Sequence, residues 1–215
     1  MSAIRGHSRL GRLCVVLTAQ LCVGLAVTVG DARAIESREL SAQEQAELRA
    51  GKLVMRRTAR RLRGVPMLGG LSWQLVRARP DSVYEALTNV SVYPQLLPAV
   101  ESVRLMPDEP PFTVFVQHRL GFIRASYYVR TQRDTEHRAL HFRLDHERSN
   151  AIRDAWGELR VTPYGRNQSI VSLAILADLG DGLVFDVIRE NIQTWMLRVP
   201  VLIKRHVERS VRAAP

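Results

Sequence analysis

The stretch that decides the fold is SIVSLAILADLGDGLVFDVIRENIQTWMLRVPVLIKRHV, residues 169–207. Its first ten residues alternate, with Val171, Leu173 and Ile175 on one side, the period-two pattern of a half-buried strand. After Gly180-Asp181-Gly182 the period changes to 3.6. Val184, Ile188, Ile192, Trp195, Val199, Leu202 and Ile203 trace one stripe, while Arg189, Glu190, Arg198, Lys204 and Arg205 lie off it. One helix of about 30 residues is expected, kinked at Pro200, which lacks an N–H and crowds the preceding turn. A single amphipathic helix after a one-faced sheet has an obvious partner, the apolar concavity of that sheet.

Upstream the alternation repeats. Strands are expected over residues 71–78, 100–106, 112–119, 123–133, 138–145, 153–162 and 169–178, separated by turn chemistry such as Asp108-Glu109-Pro110-Pro111, Gly121, Ser149-Asn150 and Pro163-Tyr164-Gly165. Val114, Val116 and His118 share one side; Thr113, Phe115, Gln117 and Arg119 share the other. The same split sets Ile123, Ala125, Tyr127 and Val129 against Arg124, Ser126, Tyr128 and Arg130, and Leu140, Phe142 and Leu144 against His141, Arg143 and Asp145. This is an antiparallel meander with one wet face. Pro80-Asp81-Ser82 opens a helix through Leu87, and a second short helix covers residues 92–97. Residues 52–62 read as a first strand or a basic arm, and Gly64-Val65-Pro66 and Gly69-Gly70 read as turns. Ser41 with Glu44 forms a capping box for a short leader helix.

The first 34 residues have a different character. Arg5, Arg9 and Arg12 precede an almost uncharged apolar run over residues 13–30, and Ala32-Arg33-Ala34 supplies small residues in signal-peptidase spacing. A secretory signal cleaved after Ala34 is expected; the competing reading is a retained N-terminal anchor, since the run approaches the ~18 residues of a spanning helix. No lipobox precedes Cys22. Both cysteines, Cys14 and Cys22, fall within the signal, so the mature chain would carry no disulfide and no thiol nucleophile. The organisation expected is a signal over 1–34, a leader helix and basic segment over 35–63, and one folded domain over 64–213, in the periplasm or outside the cell. The net charge of +10 would fall to +7 with the loss of four arginines and Asp31. Only Lys52 and Lys204 are lysine, a skew that a GC-rich genome explains as well as phosphate binding does.

This order of elements resembles the START-like superfamily, the polyketide cyclase and coenzyme Q-binding group. The residues that carry the likeness are Gly69-Gly70-Leu71, then Ala78-Arg79-Pro80-Asp81-Ser82-Val83-Tyr84-Glu85-Ala86-Leu87, then Val92-Tyr93-Pro94-Gln95-Leu96-Leu97-Pro98. Tyr84 stands where Trp is common and Leu96 replaces the usual Phe. The likeness spans residues 62–212. It implies an α+β helix-grip (START-like) fold, a curved antiparallel sheet wrapped around a long C-terminal helix, enclosing an apolar cavity. The ligand implied is a lipid, isoprenoid or quinone-like molecule. The same fold also hosts cyclase-type and hydrolase-type enzymes, the alternative function.

Catalysis has no positive signal in the sequence. No nucleophile elbow, P-loop or dinucleotide fingerprint occurs, so no catalytic residue and no cofactor is assigned. His137, His141 and Asp145 share strand spacing, but on the wet face, where solvated residues outweigh a metal site. His118 and Arg153 have inner parity and could orient the polar head of an apolar ligand, with Asn191 on the helix flank as a third candidate. A strand-end position or a one-residue slip of register would instead put them in solvent. Tyr127, Phe142, Val171, Leu173 and Trp195 either line the cavity or fill the core, and Tyr93 and Leu97 would gate it. A core with no space left would make the domain an interaction module. Trp156, on the outer parity, could pack under the leader segment or meet a membrane; Trp73 is ambiguous. Arg56, Arg57, Arg60, Arg61 and Arg63 form a basic run that could touch an anionic membrane. Nucleic acid is disfavoured, because no aromatic platform accompanies the arginines. The oligomeric state is open.

Overall fold

Alternating sequences pair into one sheet when their apolar sides can share a core, and eight segments here do so. The computed structural model describes residues 39–62, 64–106, 112–120, 123–180 and 183–213, with the backbone alone at 60, 120, 123, 183–189 and 213. The expected signal over 1–34, its cleavage site and both cysteines lie outside the described residues, as do the turn at 108–111 and Arg63. The strands are β1 (Val54–Leu62), β2 (Val65–Val76), β3 (Val100–Leu105), β4 (Phe112–Leu120), β5 (Ile123–Asp134), β6 (Ala139–Leu144), β7 (Asp154–Pro163) and β8 (Ser169–Asp178). They form one antiparallel sheet in the order β1-β2-β8-β7-β6-β5-β4-β3. β3 to β8 are the meander, and β2 returns to pair with β8.

Gly64 is in a turn as expected, with φ of 84°, but Val65, Pro66, Gly69 and Gly70 belong to the start of β2. Val65 pairs with Leu62 across a tight hairpin, and Gly69 and Gly70 lie inside the strand with φ of 156° and 143°. A Cβ on Gly69 would overlap the Ile175 carbonyl, and one on Gly70 would overlap the Arg56 carbonyl. Glycine here marks close backbone approach, which reads like turn chemistry in a sequence.

Among the described residues five α-helices and a 3₁₀ turn complete the fold. α1 (Ala42–Arg49) begins with the expected capping box, Ser41 Oγ accepting from the Glu44 N–H and Glu44 accepting from the Ser41 N–H. α2 (Pro80–Thr88), the 3₁₀ turn (Val90–Val92) and α3 (Tyr93–Leu96) cover one end of the concave face. The long helix is two: α4 (Leu183–Leu197) and α5 (Val199–Ala213), broken at Arg198. Pro200, fully buried, sits where its missing N–H cannot continue the ladder, and the Val201 N–H bonds the Arg198 carbonyl instead.

The inner face is packed solid at one end. Val76, Val83, Leu87, Val161, Val171 and Ile203 form a cluster with α2 and α5, all 2% exposed or less. On the outer face α1 sets Leu48 against Val54 and Leu75, beside Trp73, with the Arg56 guanidinium over the Trp73 ring at 5.1 Å. Trp73 is therefore the tryptophan beneath the leader helix. Trp156 packs further along the outer face with Met67 and Leu176.

Candidate functional site

Three inward positions on the sheet, Ala125, Ala155 and Ala177, carry only a methyl group; Ala125 pairs with His118, and Ala155 and Ala177 pair with each other. Opposite them α4 presents Ile192, Trp195 and Met196. The space left between is a cavity of about 240 Å³. Its wall is almost entirely apolar: Val114, Val116, Val129, Leu140, Phe142, Leu159, Leu173 and Ile175 from the sheet, Val199 and Ile203 from α5, and Tyr93, Leu96, Leu97 and Pro98 at the α3 end. Phe142 fits because Gly157 faces it across the β6–β7 pair; a Cβ there would overlap the Phe142 ring and the Ala174 carbonyl.

Polar side chains reach the wall at Tyr93, Thr131 and Trp195 and, bonded to each other, at His118 and Tyr127. His118 on β4 and Tyr127 on β5 are diagonal cross-strand neighbours, since His118 pairs with Ala125 and Tyr127 with Val116. Their rings stack at 5.5 Å, and Tyr127 Oη lies 2.7 Å from His118 Nε2. His118 Nδ1 lies 2.9 Å from the Pro98 carbonyl oxygen, so the loop after α3 fixes the imidazole. Burial lowers the His118 pKa from its ordinary value, an effect the Pro98 hydrogen bond opposes; burial raises that of Tyr127. Tyr93 Oη donates to the Leu87 carbonyl at 2.9 Å, and burial pushes its pKa up to about 12. All three side chains are thus neutral near neutral pH. Among the described residues no Asp, Glu, Lys or Arg is on the wall.

The structure brings together His118, Tyr127, Phe142, Leu173 and Trp195 around this space, with Tyr93 and Leu97 at its α3 end. Three expected positions fall elsewhere. Arg153 precedes β7, its N–H bonding the Asp178 carbonyl, and its side chain is exposed beside Gly180; parity does not extend past the strand end, and a guanidinium is costly to bury. Asn191 is exposed, on the flank of the stripe that carries Ile192 and Trp195. The buried amide of α4 is Gln193, which donates to the Thr58 and Gly69 carbonyls at 3.0 and 2.8 Å and ties the helix to the β1–β2 hairpin. Val171 is fully buried in the filled end of the core. The pairing of Tyr127 with His118 is what sequence reasoning missed: the parity put both side chains inward, but only the register makes them neighbours.

His137, His141 and Asp145 are separated by their own partners. His137 bonds Asp134, His141 faces Glu158, and Asp145 is held by Arg130 and Arg148. Among the described residues no cluster of three or more His, Cys, Asp or Glu could hold a metal, and no helix is long and apolar enough to cross a membrane.

A curved antiparallel sheet gripping a broken C-terminal helix over an apolar cavity defines the α+β helix-grip class. The chain belongs to the family described as polyketide cyclase / dehydrase and lipid transport, whose model matches residues 76–198. Solved structures share the fold. The Zhui aromatase/cyclase from Streptomyces sp. R1128 is 20% identical, with a TM-score of 0.57 over 69% of this chain and 98% of its own. A START superfamily protein from Mycobacterium smegmatis is 11% identical, TM-score 0.51, over 66% and 97%. Norcoclaurine synthase from Thalictrum flavum is 14% identical, TM-score 0.50, over 80% and 94%. At these identities the likeness is one of fold. No curated protein matches the chain.

Proposed function

We propose that this protein is exported and binds a small apolar molecule, such as a lipid, isoprenoid or quinone-like compound, in its internal cavity without transforming it. The observation that carries the reading is the apolar space of about 240 Å³ with the bonded pair His118 and Tyr127 on its wall. That volume exceeds the ~150 Å³ that admits benzene and falls short of the ~300 Å³ where drug-sized pockets begin. A ring or short chain fits as the cavity stands; a longer tail needs α3 and its Tyr93 and Leu97 to move aside. A ligand burying ~250 Å² of apolar area gains roughly 6 kcal/mol, from which association takes back at least ~4. One net hydrogen bond, worth ~1 kcal/mol, then sets which ligand is preferred. Native mass spectrometry of the protein from its own host tests this. A retained apolar adduct, on a chain beginning at Ile35, is expected; a bare chain that takes up no apolar probe contradicts binding, and one retaining residues 1–34 contradicts cleavage.

Contact with an anionic membrane would fall to a different surface from the N-terminal arginines. Arg56 is engaged with Glu44 and Trp73, Arg57 donates to Thr194 and Arg61 to the Gly64 carbonyl. Exposed Arg198, Arg205, Arg209 and Arg212 lie seven, four and three residues apart along α4–α5; the last three line a surface groove with Gln95 of α3, Leu202 and Glu208, beside the gate.

A second reading, a cyclase-type or hydrolase-type enzyme, draws on the same pair, since a neutral imidazole 2.7 Å from a phenol is an acid–base couple within an apolar site. Turnover of a candidate substrate lost in both His118→Ala and Tyr127→Phe would favour it.

A further inference from the structure

We propose that the cavity selects neutral ligands bearing a hydroxyl donor, a phenol or an alcohol, by presenting them with the lone pairs of the Tyr127 oxygen. The proposal rests on the binding reading above and follows from where the protons must lie. The Pro98 carbonyl oxygen can only accept, so His118 Nδ1, 2.9 Å away, carries a hydrogen. A neutral imidazole then has its lone pair at Nε2, and Tyr127 Oη, 2.7 Å distant, must donate to it. The Tyr127 proton is spent inside the protein; what its oxygen has left is acceptor capacity. The other hydroxyls of the wall are in the same position. Tyr93 Oη donates to the Leu87 carbonyl at 2.9 Å, and Thr131 Oγ1 donates to the Phe112 carbonyl at 3.0 Å. Trp195 is the one side chain of the wall whose N–H has no acceptor among the described residues.

Among the described residues a carboxylate entering this space meets no countercharge, and a ketone, aldehyde or quinone meets no hydroxyl proton. A ligand hydroxyl meets an acceptor and loses little on leaving water. Of a quinone and quinol pair, the quinol is therefore the form retained. The proton order also predicts an inversion. If His118 is replaced by an apolar ring, the Tyr127 proton has no internal acceptor and turns to the ligand, so that carbonyl compounds become the favoured class.

The test uses delipidated mature protein and one ring skeleton with four polar groups: 2-naphthol, 2-methoxynaphthalene, 2-naphthaldehyde and 2-naphthoate, titrated near neutral pH by calorimetry. The expected result is naphthol bound about tenfold more tightly than the ether or the aldehyde, and naphthoate not bound. Tyr127→Phe alone would bare the His118 Nε2 lone pair to the ligand, so it is the double variant Tyr127→Phe/His118→Phe that should bring naphthol to the level of the ether, and His118→Phe alone should favour the aldehyde. Trp195→Phe should leave the preference intact. Equal affinity for naphthol, ether and aldehyde overturns this inference and leaves the binding reading standing; no binding of any of the four overturns both. Selectivity lost in Trp195→Phe, or kept in the Tyr127→Phe/His118→Phe double variant, overturns the assignment to Tyr127.

Discussion

His118 owes its neutrality to the wall around it, and that has a consequence for stability. In the unfolded chain an imidazole gains its proton as pH falls through about 6.5, whereas the folded His118 resists protonation to lower pH. The unfolded state therefore binds more protons in that window, and stability should fall as pH drops from about 6.5 toward the depressed folded value, then level off. Denaturant titrations across that range should show the slope flattened in His118→Gln; an identical slope contradicts a buried neutral imidazole. Gly157 gives a second test. A methyl group there must displace the Ala174 carbonyl, which is held in the sheet, and the Phe142 ring, which is not. Gly157→Ala should cost about 1–3 kcal/mol, as overpacking does, with Phe142→Leu relieving part of it. A neutral Gly157→Ala contradicts the packing described. At this scale the sequence spoke unevenly. Parity placed His118, Tyr127, Phe142 and Leu173 inward correctly, because each lies mid-strand where alternation is enforced by the ladder. It misplaced Arg153, where the strand has not yet begun, and it could not separate Val171, beneath α2, from Leu173, two residues on and at the cavity.

Among the elements, the meander and both helices after β2 were legible because turn residues bracket them, whereas β2 was cut short by its glycines. The break of the C-terminal helix at Arg198 follows from Pro200, two residues on. The leader helix α1 belongs to the fold through few contacts: Leu48 at 4% exposure, the capping box, and Arg56 Nε to Glu44 Oε1 at 2.7 Å. The Arg56 hydrogen bond, helped by the Ser41 N–H, lowers the Glu44 carboxyl to about 2. A depressed acid contributes stability that is present above its unfolded value near 4.5 and lost as pH falls toward about 2. Amide exchange in residues 42–49 should accelerate over that window before the sheet is affected, and Ser41→Ala should weaken the helix by about 1 kcal/mol. Exchange that rises in step with the sheet would show that α1 is part of the global unit.

For the whole molecule, the distribution of side-chain size around the concave face decides whether the grip is closed or hollow. Leu and Val fill the end under α2; Ala125, Ala155 and Ala177 leave the other end open. That pattern was readable as residues but not as a space, since a cavity exists only once β4–β8 are wrapped against α4. The account stands on that space being available to an apolar guest. The most direct measurement is titration of delipidated protein with N-phenyl-1-naphthylamine, comparing the native chain with Ala155→Leu and Ala125→Leu, each shown to be folded by its thermal transition. The account predicts saturable binding of one probe per chain, weakened tenfold or more where a leucine occupies the cavity. Binding that is absent from the native chain, or unchanged in both folded variants, would contradict it.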